Sequence, residues 1–267
     1  MSRSLVLTRG VTAAAVLAAI VAGSLMAGTA GAECNGRAGV VACLDGSIVP
    51  RSLPRDRPAP VSVTLSGKVR ADAGAPPPHL ARMEVAFGTR GGLDTTGLPR
   101  CSRARLRNAT AQQALVRCGA ALVGRGTIEA EVPLNPQEPL LAHARVLAFN
   151  GRQGGRPVVW VHAYSASPPV SFVLPFFILR QRAGAYGMLV RAPVAAALGR
   201  WPRLRSFELT LGRRYRAGGT SRSYLSARCP LPPRFHTLTV PLARATYDFS
   251  AGPTISTTIL RRCAVRD

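Results

Sequence analysis

From residue 61 onward, apolar and polar residues alternate. Val61, Val63, Leu65 and Val69 alternate with Ser62, Thr64, Ser66, Lys68 and Arg70. Met83, Val85 and Phe87 alternate with Arg82, Glu84 and Ala86. Leu122, Ile128 and Val132 share one face, and Arg125, Thr127, Glu129 and Glu131 share the other. Phe207, Leu209 and Leu211 alternate with Ser206, Glu208 and Thr210. A period of two is the signature of a strand with one face in water. Residues 140–149, 157–165, 170–180, 185–191, 221–228, 237–249 and 255–263 add further strands. Turn residues separate them: Asn150-Gly151 with Gly154-Gly155, Ser167-Pro168-Pro169, Ala183-Gly184, Gly218-Gly219 and Ala251-Gly252-Pro253. The pattern predicts an all-β domain over residues 61–267, an antiparallel meander forming a β-sandwich or incomplete barrel.

Helix is scarce. The one good candidate runs from Ala109 to Cys118, with Asn108 as its N-cap and Ala111, Leu115 and Cys118 at helical spacing. A turn or two over Arg191–Leu198, started by Pro193 and stopped by Gly199, is the second. Ahead of the domain, Pro50, Pro54, Pro58 and Pro60 are interspersed with Arg51, Arg55 and Arg57. That composition reads residues 33–60 as a disulfide loop followed by a semi-extended linker, with ordered structure beginning near Val61.

The N-terminus has Arg3 and Arg9, then an uncharged stretch from Val11 to Ala32 ending in Ala30-Gly31-Ala32. This is the form of a signal peptide over residues 1–32, cleaved after Ala32. Glu33 ahead of Cys34 rules out a lipobox. Left uncleaved, the segment would be the chain's one contact with a membrane. Six cysteines follow, Cys34, Cys43, Cys101, Cys118, Cys229 and Cys263. An even count in an exported chain reads as disulfides, and pairing of sequence neighbours is the simplest of the arrangements. No C-x-x-C pair and no His at ligand spacing from a Cys supports a metal site.

Composition changes the picture less than the numbers suggest. The 267 residues carry 35 Lys+Arg against 12 Asp+Glu, a formal net charge of +23. Only Lys68 is a lysine. The arginines are spread along the chain, the longest runs being the pairs Arg213-Arg214 and Arg261-Arg262. Aromatics make up 6% of the chain and do not interleave with basic residues, so the stacking platforms of nucleic-acid binders are missing. The preference for Arg, with abundant Ala, Gly, Pro and Val, is what a GC-rich coding sequence produces. At 47% apolar residues the chain is not a disordered polyelectrolyte. What the charge does imply is loose attraction to an anionic cell surface, an anionic cell-wall polymer included.

Catalytic chemistry is thinly represented. There is no G-x-S-x-G and no H-E-x-x-H, and no cofactor is expected: Arg90-Gly91-Gly92 is not followed by the helix a phosphate cradle needs. Glu129 and Glu131 share a face and could serve a paired-carboxylate hydrolase, but they are also natural cross-strand partners for arginine. His143 and His162 sit in consecutive strands, where Arg145 is the expected neighbour of His162. The longest apolar run outside the N-terminal segment is Val170–Leu179. It is too short for a membrane helix and apolar on both faces, so it is a core strand or the wall of a ligand cavity. Pro175 marks it as an edge or bulged strand. A cavity reading assigns the ligand to Phe172, Leu174, Phe176 and Phe177, with Trp160, Tyr164 and Tyr186 beside them. Arg180, Arg182 and Arg191 would then be the anion contacts.

The segments Gly97–Cys101, Cys118–Gly124, Leu147–Gly151 and Tyr224–Pro230 resemble uncharacterised exported proteins of high-GC Gram-positive bacteria. That resemblance implies secretion and disulfides and carries no activity. The meander with one early helix also resembles half-barrel lipoprotein carriers in outline. The expected function is that of a non-catalytic binder of an amphipathic or anionic envelope component, such as a lipid. A secreted hydrolase using the carboxylates or His162, and a structural or adhesive wall protein, are the alternatives.

Overall fold

The computed structural model describes residues 31–72, 75–133, 138–198 and 202–266, with the backbone only at residues 182 and 183. The signal-peptide reading falls on residues 1–32, of which 1–30 lie outside the described residues. In chain order the first strands are β1 (Glu33–Arg37), β2 (Val40–Val49), β3 (Ser52–Leu53), β4 (Ala59–Pro60), β5 (Ser62–Ala71), β6 (Leu80–Gly88) and β7 (Gly91–Leu93). Two helices follow, α1 (Arg103–Leu106) and α2 (Ala111–Cys118). Then come β8 (Leu122–Val132), β9 (Leu140–Gln153), β10 (Arg156–Ala166), β11 (Pro169–Ala183), β12 (Tyr186–Ala192) and helix α3 (Val194–Leu198). The chain ends with β13 (Arg203–Leu211), β14 (Arg214–Ala217), β15 (Thr220–Ser223), β16 (Leu225–Ala227), β17 (Thr237–Phe249) and β18 (Thr254–Val265).

Thirteen of these strands form one sheet, in the order β1-β2-β5-β13-β8-β9-β10-β11-β12-β6-β17-β18-β3. Every pairing is antiparallel except β3 on β18. The fold is therefore all-β. Its architecture is one curled sheet, an incomplete barrel, rather than two stacked sheets. Only β8 to β12 follow one another as a meander; β5 beside β13, β12 beside β6 and β6 beside β17 are long-range neighbours. The two ends of the sheet approach each other. Tyr247 on β17 donates its hydroxyl proton to the Cys43 carbonyl on β2 at 3.0 Å, and Arg261 on β18 donates to the Gly46 carbonyl at 2.6 Å and pairs with Asp45. Asn35 on β1 donates to the Ser256 carbonyl on β18. Side-chain bonds thus tie a seam that ladder bonds leave open.

Sharp curling needs strands to cross closely on the inner face. At Gly126 on β8 a Cβ would lie 1.9 Å from the Glu208 carbonyl oxygen on β13, so only glycine fits there. A small sheet of β4, β16 and β7 packs Ala59, Leu225 and Ala227 into the main core. On the outer side, α1 and α2 cover a second cluster in which Leu106, Ala114, Cys118, Phe149, Val158, Trp160 and Val173 are buried together.

The three disulfides join Cys34 to Cys43, Cys101 to Cys118 and Cys229 to Cys263, the sequence-neighbour pairing. Several local expectations change. Residues 33–53 contribute strands to the main sheet rather than a disulfide loop and linker ahead of it, because Ala42 and Leu44 of β2 are fully buried and β2 runs along all of β5. Helix α2 starts two residues late. Asn108 has φ +53°, and Thr110 is the N-cap, closing a reciprocal capping box with Gln113. The β9–β10 turn is at Gly154-Gly155, with φ of +54° and +75°, the primed conformation that suits a twisted hairpin. Asn150 and Gly151 lie inside β9. Leu147 therefore faces His162, and Arg145 faces Tyr164. Finally, β11 is an interior strand despite Pro175. β12 pairs only from Phe177 onward, so the proline sits where the ladder on one side has ended.

Candidate functional site

The inner face of the curled sheet is a wall of aliphatic and aromatic side chains. β5 gives Val63 and Leu65, β13 gives Phe207, Leu209 and Leu211, and β8 gives Ile128, Ala130 and Val132. β9 gives Ala142, Ala144 and Val146, and β10 gives Val159, Val161 and Ala163. β11 adds Phe172, Leu174, Phe176 and Ile178; β12 adds Met188 and Val190; β6 adds Met83, Val85 and Phe87. These are the alternating positions the period of two picks out, now facing one space. They enclose a cavity of ≈ 270 Å³. The alanines of β8, β9 and β10 leave the room that larger residues would fill.

The cavity has two unlike ends. At one, α3 contributes Val194 and Leu198, beside Pro202, Leu204, Ser165 and Val170. At the other, Arg51, Arg90, Arg228, Arg261 and Arg262 join the lining together with Tyr224. Tyr224 is fully buried, and among the described residues its hydroxyl has no hydrogen-bond partner. Burial holds that phenol protonated well above the usual tyrosine range. The one acidic residue of the lining, Glu208, is exposed on β13 between Phe207 and Leu209.

The residues singled out from sequence divide between the two faces of β10 and β11. Phe172, Leu174 and Phe176 line the cavity. Trp160, Tyr164 and Phe177 belong to the outer cluster under α2. The alternation that brings Phe176 inward sends Phe177 outward. The run Val170–Leu179 is thus apolar on both faces for two reasons, one face walling the cavity and the other seating the helices. Tyr186 is half-buried at the end of β12, outside the lining. Arg180 is exposed beyond the wall, the Arg182 side chain lies outside the described residues, and Arg191 is taken up by Glu84 at 2.6 Å. The basic end is instead made by arginines that sequence reasoning passed over. One signal for them was present: Arg228 and Arg262 each adjoin a cysteine of the Cys229–Cys263 pair.

The groups held open for catalysis have structural partners. Glu131, buried, pairs with Arg203 at 3.2 Å and with Arg205. Glu129 accepts from Ser206 at 2.7 Å and lies 3.3 Å from His143 Nδ1. Both carboxylates alternate with the cavity residues Ile128, Ala130 and Val132, so they belong to the outer face. His162 is fully buried. Its Nε2 donates to the Ala109 carbonyl at 2.9 Å, with Ser171 Oγ 3.3 Å from the same nitrogen, and its Nδ1 has no partner among the described residues. Desolvation holds the ring below the usual imidazole range, partly offset by the Ala109 bond. It pins the loop before α2 to the sheet. Among the described residues no three metal-ligating side chains cluster, and no helix is long and apolar enough to cross a membrane. In comparisons with known proteins, the chain matches no family model, no curated protein and no solved structure.

Proposed function

We propose that this is an exported binding protein that takes up the alkyl portion of an envelope amphiphile inside the half-barrel. The observation that carries the reading is the inner wall: eight strands of one curled sheet turn apolar side chains toward a shared unfilled space. A folded chain gains most by filling such space with its own side chains, at the close packing usual of interiors. Here alanines stand at Ala130, Ala142, Ala144 and Ala163, where larger residues would close it. An alkyl chain entering the space contributes about 0.8 kcal/mol for each methylene removed from water. Export is supported by the basic and apolar N-terminal pattern and by three disulfides, which persist outside the reducing cytosol.

The test is native mass spectrometry of the protein purified without detergent from its own host. The reading expects a bound species that organic extraction removes. An apo mass in repeated preparations, with no uptake on adding alkyl compounds, would overturn it.

A further inference from the structure

Four of the five arginines at the basic end, Arg51, Arg90, Arg228 and Arg262, come from separate parts of the sequence and are drawn together by the topology. Arg228 donates its backbone N–H to the Arg90 carbonyl at 3.1 Å. Arg228 also precedes Cys229, whose disulfide partner Cys263 follows Arg262. Arg51 precedes Ser52, which pairs with Ala264 in the next position along β18. Among the described residues none of these four has a carboxylate at ion-pair distance. Arg261, beside them, is already committed to Asp45 and the Gly46 carbonyl. Of the acids nearby, Asp94, whose N–H donates to the Tyr224 carbonyl, is held by Arg222 at 2.9 Å, and Asp56 meets Arg228 through its backbone carbonyl, which accepts from Nη1 at 3.4 Å; Arg262 Nη2 donates to the Thr237 hydroxyl at 3.3 Å.

Two buried donors here stand unsatisfied. Arg90 Nε has no partner among the described residues, and neither has the Tyr224 hydroxyl. A buried polar group without a partner destabilises the fold. Two of them at the basic end of one apolar cavity mark a place where an acceptor binds. The polar side chains gathered there are donors, and five are cations, of which, among the described residues, Arg261 alone is paired with a carboxylate.

From this we infer that the ligand is an anionic amphiphile with a set orientation. Its phosphate, sulfate or carboxylate head sits among Arg51, Arg90, Arg228 and Arg262, accepts from Tyr224, and its alkyl chain runs toward α3. The inference rests on the cavity reading above and adds the class of head group and its direction. Charge-assisted bonds to guanidinium are the strong ones, so a neutral head should be disfavoured although the chain is the same. A cationic head should be rejected.

The experiment displaces the uncharged dye diphenylhexatriene from the full protein with hexadecyl phosphate, hexadecanol or hexadecyltrimethylammonium, each below its micelle concentration. Hexadecyl phosphate should displace the dye at about tenfold lower concentration than hexadecanol, the scale of one charge-assisted hydrogen bond. The triple variant R90Q/R228Q/R262Q should lose that preference and still bind dye. Tyr224→Phe should weaken hexadecyl phosphate several-fold, on the order of one hydrogen bond, while leaving the unliganded protein as stable as before or more so. Equal displacement by phosphate and alcohol in the wild type overturns the inference and leaves the cavity reading standing. So does an undiminished phosphate preference in the triple variant. Failure of the dye and of all three alkyl compounds to bind overturns the cavity reading, and the inference with it.

Discussion

His162 has one nitrogen satisfied, and among the described residues the other has no group to accept a second proton. Protonating it in the folded protein would bury a charge and strand an N–H, so the fold favours the neutral ring. In the unfolded chain the ring takes a proton near its ordinary pKa of 6.5. The folded-state value is the lower of the two, so its contribution is complete above pH 6.5 and is lost as the pH falls through the folded value. Urea unfolding of the wild type should show a midpoint that declines as pH drops below 6.5. In His162→Gln that decline should shrink. A wild-type midpoint that rises on acidification in this window would contradict the assignment. At this scale the sequence was informative about type and silent about facing: Phe176 and Phe177 look equivalent on paper, and only the register against β10 separates the cavity wall from the outer face under α1 and α2. The arginines proposed from sequence were the near neighbours of the apolar run, whereas those at the cavity end are near only through β6, the β16 end and β18.

Elements were legible where a period of two persisted over many residues, as in β5, β6, β8 and β13. They were misjudged where a local signal competed with tertiary pairing. The prolines between Pro50 and Pro60 set residues 33–60 apart as a disulfide loop and a linker, but β2 has its apolar face buried against β17 and β18. Asn108 is a good N-cap by type; Thr110 wins because Gln113, three residues on, returns the bond. The Cys101–Cys118 disulfide joins the residues just before α1 to the end of α2, closing the α1–α2 flap across a separation of 17 residues. Cys101→Ser with Cys118→Ser should therefore cost about 3 kcal/mol by the loop-closure estimate. Thermal unfolding followed by circular dichroism would measure it. Because the flap covers the outer face of β9–β11, dye binding in the cavity should survive the change at temperatures where the variant stays folded. A loss of binding in the folded variant would mean that flap and cavity are coupled.

The whole molecule was the least legible. All-β class follows from short alternating strands and scarce helix, which left a sandwich and an incomplete barrel equally open. Which faces turn toward one another does not, because it depends on β5 meeting β13, β12 meeting β6 and β6 meeting β17, pairings set by long-range closure. The charge that dominates the composition acquires a more local meaning once folded: some arginines tie the seam or neutralise Glu84 and Glu131, and a few are left at one end of an apolar cavity. The proposed binding requires that this cavity be open to an alkyl chain. The direct measurement is a diphenylhexatriene titration of the wild type beside Ala144→Trp, with thermal unfolding of both. The account predicts saturable binding by the wild type and its loss in Ala144→Trp, whose indole occupies the space, at a Tm no lower than the wild type's. Undiminished binding by a folded Ala144→Trp variant would contradict it.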